Sequence, residues 1–157
     1  MKGEIRLVDD LAGQSAWLRA LIYWGPVALY AGLIFYFSAQ SHPDEDLPLF
    51  LNIFGDKVLH AVEYAGLGAL CCRAFRRGVR GLQASRALLL AVFAASLYGI
   101  TDEVHQLFVP FRESSWRDWA ADTVGAVLGA VGVICCTAAF SCTGHVRTSG
   151  ESNRMLG

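Results

Sequence analysis

The sequence predicts an all-α fold in which four helices form a transmembrane bundle with both termini cytoplasmic. Of the 157 residues, 54% are hydrophobic and only 17% are charged, whereas a soluble domain usually has more charge. Four apolar segments approach the roughly 20 residues that cross a hydrocarbon core as a helix. The basic residues are concentrated on one side of these segments. The net charge of -1 gives no reason to expect nucleic acid as a partner.

The first apolar segment covers residues 20–41 and contains no charged residue. It is longer than the roughly 7–15 apolar residues of a signal peptide, and it follows a polar leader, residues 1–19. We therefore expect a retained membrane helix at the start of a membrane domain that covers residues 20–142. Residues 143–157 are expected to form a flexible cytoplasmic tail.

The second apolar segment, residues 58–72, is interrupted only by His60 and Glu63. Asp56, His60 and Glu63 are separated by steps of four and three residues, which places them on one face of a helix. Because a helix rises about 1.5 Å per residue, Glu63 is expected roughly 10 Å deeper than Asp56. A carboxylate at that depth needs a partner or a proton.

The third segment, residues 87–102, leads directly into a polar run. Helical periodicity puts Asp102 and His105 on one face, with Gln106 beside them and Glu103 turned aside. Since charged side chains inside a membrane usually face the bundle interior, this face is expected to point inward.

The fourth segment, residues 123–144, has no charged residue. Just before and within it, Asp118 and Asp122 share a helical stripe with Gly125 and Gly129. Glycines spaced in this way allow another helix to approach closely. That helix can belong to the same chain or to a second copy, so the stripe is also a candidate oligomer interface.

The distribution of basic residues predicts the orientation. Three lie on one side of the predicted membrane, namely Lys57, Arg112 and Arg117. The other side holds ten: Lys2, Arg6, Arg19, Arg73, Arg76, Arg77, Arg80, Arg86, Arg147 and Arg154. Because basic residues are enriched in cytoplasmic loops, the side with ten is expected inside, and the polar helix ends would meet outside. A charge near bilayer depth costs several kcal/mol, which makes this outward-facing cluster the candidate site.

Four segments resemble the VanZ-like family of bacterial membrane proteins: SAQS at 38–41, DKVLHAVEYAGLG at 56–68, DEVHQLFVPFR at 102–112 and RDWAADTVGAVLG at 117–129. Phe111 stands where many members have a glycine, a difference that removes no polar group. The resemblance implies a multi-pass protein of the bacterial cytoplasmic (inner) membrane, in the cell envelope. The named member of the family is associated with low-level resistance to the glycopeptide teicoplanin. The resemblance does not imply a particular reaction.

The first interpretation of the cluster is acid–base chemistry on an anionic ligand. An imidazole titrates near neutral pH, and a neighbouring carboxylate can orient it. The candidate catalytic residues are His60, Glu63, Asp102, Glu103 and His105. Because guanidinium groups bind phosphate well, the ligand would be an anionic envelope lipid or a lipid-linked cell-wall precursor. The candidate substrate-binding residues are Ser38, Gln40, Ser41, Lys57, Gln106, Arg112 and Arg117, of which the first three can equally cap the first helix.

The second interpretation is a divalent metal site, because imidazoles and carboxylates on neighbouring helices form such sites in helix bundles. The candidate ligands are His60, Glu63, Asp102, His105, Asp118 and Asp122. The third interpretation is a purely structural ion network. In that network Asp118 or Asp102 pairs with Arg112, and Glu63 pairs with Lys57 or His60.

The sequence leaves open whether the chain is an enzyme. A non-enzymatic scaffold or binding protein would need the charged cluster only to shape its outer surface. A small proton-coupled transporter would use the same acids as a proton relay, although the two halves of the chain show no inverted repeat.

Overall fold

The computed structural model describes the backbone of residues 2–40, 56–110 and 114–152, and the side chains of residues 15–40, 57–110 and 114–139. The described parts form the helices α1 (Lys2–Ser38), α2 (Asp56–Gly78), α3 (Ala84–Gln106) and α4 (Trp116–Ser152). None of the described residues belongs to a strand. The predicted all-α, four-helix fold is therefore confirmed.

Within the described residues, three helices are long and apolar enough to cross a membrane: Ser15–Ser38 in α1, Ala84–Gln106 in α3 and Trp116–Ala139 in α4. α2 has 23 residues, as many as α3. It carries charged residues near both of its ends, however, and does not reach the same apolar content. Three of the four predicted spans, those in α1, α3 and α4, thus have the length and apolar composition that crossing a membrane requires.

α2 lies at the centre of the bundle. It packs most extensively against α4 and also contacts α3 and α1, whereas α1 touches α3 only lightly. Glycines bring α2 and α4 together, because a Cβ atom added to Gly125 would overlap the carbonyl oxygen of Ala61. A Cβ atom added to Gly129 would likewise overlap that of Ala65. The glycine stripe that was expected to receive another helix thus receives α2 of the same chain.

Large apolar side chains cover the outside of the bundle. Leu29 on α1, Phe93 on α3 and Leu128 on α4 are 69%, 66% and 63% exposed. Soluble monomers rarely expose apolar side chains so extensively, whereas a surface that faces hydrocarbon requires them. The outer surface of the described helices therefore suits a lipid environment.

Residues 79–83 connect α2 to α3, and Gly81 in this connection has a φ of 74°, which a glycine adopts without strain. Such a short connection makes α2 and α3 antiparallel neighbours. α1 begins at Lys2, inside the predicted leader, and α4 continues to Ser152, inside the predicted tail. The boundaries of leader, domain and tail stay predictions, as does the cytoplasmic location of both termini.

Candidate functional site

The buried polar side chains of the described residues gather at one end of the bundle, where α1 and α3 end and α2 and α4 begin. We call this region the polar end. Its buried polar residues are Ser38, His60, Asp102, Glu103, Gln106, Asp118 and Asp122. Because all of them lie between helices, the polar end is a connected interior site rather than a set of surface charges.

His60 on α2 and Asp122 on α4 form the most deeply buried contact of the polar end. The Nδ1 atom of His60 lies 3.0 Å from Oδ1 of Asp122, and Asp122 is fully buried. The contact follows from helix packing, because Gly125 lets α4 approach the backbone of α2 at Ala61, one residue after His60. The glycine stripe thus fixes how close imidazole and carboxylate come.

Glu103 joins α3 to the start of α4. Its Oε2 atom accepts hydrogen bonds from the backbone N–H of Ser115 at 2.7 Å and from the hydroxyl of Ser114 at 2.9 Å. These bonds satisfy donors at the positive end of the helix dipole. The Oγ atom of Ser115 in turn accepts from the backbone N–H of Arg117 at 3.2 Å, which caps α4.

The prediction that Glu103 is turned aside from the inward face of α3 is wrong, since this side chain is only 7% exposed. Helical periodicity alone assumes one buried face, but α3 packs against α2 and α4 and also touches α1. Asp102, Glu103 and Gln106 are therefore all buried, over a wider arc than one stripe.

His60, Glu103 and Asp122 come close together from three different helices. One potential ligand atom of each lies within 4.8 Å of those of the other two. We call these three residues the triad. Glu63, Asp102, His105 and Asp118, which the sequence offered as metal ligands, do not join any such group among the described residues.

Lys57 and Asp118 pair at the mouth of the polar end. The Nζ atom of Lys57 lies 2.7 Å from Oδ1 of Asp118, and the side chain of Asp118 is 6% exposed, against 52% for Lys57. Arg112, which the sequence suggested as the partner of Asp118 or Asp102, lies outside the described residues. Glu63 lies half-buried, one turn deeper than His60.

A hydrogen-bonded chain links α3 to α1. The amide nitrogen of Gln106 donates to Oδ2 of Asp102 at 3.1 Å and to the hydroxyl of Ser38 at 3.2 Å. The side chain of Gln40 donates to the carbonyl of Tyr36 at 3.0 Å, as expected for a residue that terminates a helix. Ser41 lies outside the described residues.

His105 faces α1 rather than the triad. Its ring stacks on Phe35 with centroids 4.3 Å apart, and its Nε2 atom is buried without a hydrogen-bond partner among the described residues. Arg117 is exposed, and its guanidinium lies 5.8 Å from the ring centroid of Trp116. His60 therefore belongs to the triad and His105 does not, so the two histidines of the predicted site lie in different surroundings.

Tyr64 is a residue of this region that sequence reasoning missed. It is fully buried, four residues after His60, and its hydroxyl has no hydrogen-bond partner in the described part of the chain. Beside it, a Cβ atom on Gly99 would lie 3.3 Å from Cε1 of Tyr64. The four-residue spacing from His60 was a usable signal, but a tyrosine in an apolar helix is most often only a packing residue.

The profile of the VanZ/LLP1 family matches residues 22–137, which include every buried residue of the polar end. No curated protein and no solved structure is similar enough to this chain to count as a match. The matched region covers well over half of the chain, and it carries the triad and most of each helix that is long and apolar enough to cross a membrane. The chain therefore belongs to the VanZ/LLP1 family.

Proposed function

We propose that this VanZ-like membrane protein binds an anionic lipid, or a lipid-linked precursor, of the bacterial cell envelope at the polar end. Through this binding it would alter susceptibility to teicoplanin-type glycopeptides. The observation that carries the proposal is the buried polar network at one end of an otherwise lipid-facing bundle. Buried polar groups at membrane depth are costly and are usually retained for a function.

Cationic side chains at the mouth of this network support an anionic ligand. The ammonium of Lys57 is half-exposed beside Asp118, and Arg117 is exposed on the first turn of α4. Both can form charge-assisted hydrogen bonds to a phosphate. Trp116 is 73% exposed next to Arg117, and tryptophans in this setting favour the level of the lipid head groups.

The opposite end of the bundle supports an outward direction for the polar end. Arg73 lies 5.2 Å from the ring centroid of Tyr23, and Arg76 bonds to the hydroxyl of Thr137. Further arginines follow at Arg80 and Arg86. Because basic residues mark the cytoplasmic side, we place the polar end at the outer leaflet of the inner membrane, with both termini inside.

Acid–base chemistry on the bound lipid is the second candidate function. It is favoured by the contact between His60 and Asp122, in which a buried carboxylate orients an imidazole. Binding is the primary proposal because the imidazole is itself buried, so that a ligand must open the polar end to reach it.

The lipid proposal is tested by native mass spectrometry of the full chain released from nanodiscs that contain equal amounts of phosphatidylglycerol and phosphatidylcholine. We expect the protein to retain phosphatidylglycerol preferentially, and an Arg117→Gln variant to lose most of this preference. One charge-assisted hydrogen bond is worth about 1.5–3 kcal/mol, or roughly tenfold or more in affinity. Arg86→Gln, which removes an exposed arginine far from the polar end, is the matched control.

Equal retention of the two lipids by the unaltered protein would refute the proposal. So would an Arg86→Gln variant that loses as much anionic lipid as Arg117→Gln. The link to glycopeptides is tested by the teicoplanin concentration that inhibits cells expressing each variant at equal levels. Arg117→Gln should abolish any protection that the unaltered chain confers.

A further inference from the structure

The triad differs from the other described titratable residues of the polar end in how closely its ligand atoms converge. Asp118 is paired with Lys57, and the ring of His105 is stacked on Phe35. Asp102 accepts from Gln106 at Oδ2, while its Oδ1 atom is buried without a hydrogen-bond partner among the described residues. His60, Glu103 and Asp122 instead converge on one another, with ligand atoms within 4.8 Å, and all three are buried. A buried imidazole and two buried carboxylates therefore face one another inside the bundle.

Unpaired oxygens of both carboxylates point to a cation. The Oδ2 atom of Asp122 and the Oε1 atom of Glu103 are buried and have no hydrogen-bond partner among the described residues. Asp122 is 0% and Glu103 7% exposed, so water does not readily satisfy these atoms from outside. An ionised oxygen left in this state costs several kcal/mol, which a bound cation or a shared proton would recover.

The unpaired oxygen of Asp122 also faces α3, the helix that carries Glu103. A Cβ atom added to Gly99 would lie 3.1 Å from Oδ2 of Asp122, which places this oxygen against α3 at Gly99. Gly99 and Glu103 are four residues apart and therefore lie on the same side of α3. The free oxygen of Asp122 is thus directed to the helix face that carries Glu103.

Charge favours a divalent ion over a proton on the histidine. A neutral imidazole and two carboxylates carry a total charge of -2 in the ionised state, which a divalent cation balances completely. A protonated His60 would balance only one of the two carboxylates. In a low-dielectric interior the uncompensated second charge would remain costly.

One pair of ligand atoms in the triad has the separation expected at a transition-metal ion. Two ligand atoms that are each about 2.1 Å from an octahedral ion lie about 3.0 Å apart. The Nδ1 atom of His60 and the Oδ1 atom of Asp122 have this separation, 3.0 Å, which is also the length of the hydrogen bond that they form without an ion. A mixture of one imidazole nitrogen and carboxylate oxygens suits Zn²⁺, Mn²⁺ or Fe²⁺, and three protein ligands leave a coordination position for water.

We infer that His60, Glu103 and Asp122 form a binding site for one divalent transition-metal ion inside the polar end. This site differs from the one expected from the sequence in using Glu103 and in excluding His105. It is independent of the lipid proposal, because a metal ion alone is its ligand and the cationic side chains at the mouth take no part in it.

The test is an equilibrium titration of the full chain, purified in detergent and treated with a chelator, with Zn²⁺ and separately with Mn²⁺. We expect one bound ion per chain. Glu103→Gln and Asp122→Asn should each weaken binding by about tenfold or more, the range over which changes at metal sites act. Glu103→Gln keeps a side-chain oxygen for the N–H of Ser115, so the cap of α4 persists in this variant.

His105→Ala is the matched control, because it removes another described histidine of the same half of the bundle, which stacks on Phe35 and does not belong to the triad. It should bind the ion as the unaltered chain does, and so should Arg117→Gln, which tests the lipid proposal. The inference is overturned if the unaltered chain shows no saturable binding. It is also overturned if Glu103→Gln and Asp122→Asn bind as tightly as the unaltered chain.

Loading the unaltered chain with Co²⁺ gives a readout that does not depend on any variant folding. Visible d–d bands that one equivalent of Zn²⁺ abolishes would support a single protein-ligated site. A spectrum identical to that of Co²⁺ in detergent buffer would overturn the inference.

Discussion

Replacing Gly125 with alanine should separate α2 from α4 and break the contact between His60 and Asp122. The added Cβ atom would overlap the carbonyl oxygen and the backbone of Ala61, and backbone atoms cannot rotate away. The helices would have to part by about 1 Å or more before this contact became an ordinary van der Waals one. The 3.0 Å contact between His60 and Asp122 would then exceed the usual hydrogen-bond length.

The energetic cost follows from three effects of different size. Overpacking costs about 1–3 kcal/mol, and losing a hydrogen bond to a charged group costs about 1.5–3 kcal/mol. The higher helix propensity of alanine returns only about 1 kcal/mol. Gly125→Ala should therefore lower the free energy of unfolding by about 1.5–5 kcal/mol.

Gly132→Ala is the control for this experiment. It makes the same change on the same helix, where a Cβ atom would meet no other atom within 4 Å, so it should be neutral or slightly stabilising. The assay is reversible unfolding in mixed micelles with increasing SDS, followed by circular dichroism. If Gly125→Ala unfolded at the same SDS fraction as Gly132→Ala, glycine packing could not be what positions the triad.

Three smaller changes test other parts of the polar end. Ser115→Ala removes the cap of α4, which should cost about 1 kcal/mol and speed amide hydrogen exchange in the first turn of that helix, whereas unchanged exchange would contradict the cap. Gly99→Ala would place a Cβ atom 3.1 Å from Oδ2 of Asp122. It should weaken Zn²⁺ binding with less than about 1 kcal/mol change in stability, since the propensity of alanine offsets the crowding. Tyr64→Phe removes a hydroxyl that lacks a partner, so stability measured by SDS unfolding should stay equal or rise by about 1 kcal/mol. A marked loss would mean that this hydroxyl has a ligand.

The parts of the fold that could be predicted are those marked by hydropathy and residue spacing along the chain. Hydropathy located α1, α3 and α4, because spanning a membrane requires a long apolar run whatever its neighbours are. The glycines at 125 and 129 predicted a close helix contact, but they could not say that the partner is α2, since a small-residue face accepts any helix of matching shape.

The site was less predictable, because pairing depends on helix register. Lys57 and Asp118 are 61 positions apart in the chain, and only the packing of α2 on α4 makes them partners. Glu103 was assigned to the wrong face because helical periodicity assumes that a helix packs against one neighbouring helix, whereas α3 packs against several. The four-residue spacing from His60 was not enough to single out Tyr64, whose buried hydroxyl is visible only in the structure.

The polarity of α2 has a consequence for how the chain enters a bilayer. α2 lacks the apolar content of its neighbours, so it is poorly suited to partition into lipid alone, and its polar side chains are covered only when other helices are present. Residues 79–83 tie it closely to α3, which is apolar enough to insert. Biogenesis should therefore deliver α2 and α3 together as a helical hairpin, because the polar and charged residues of α2, among them Lys57 and His60 of the polar end, disfavour its independent entry.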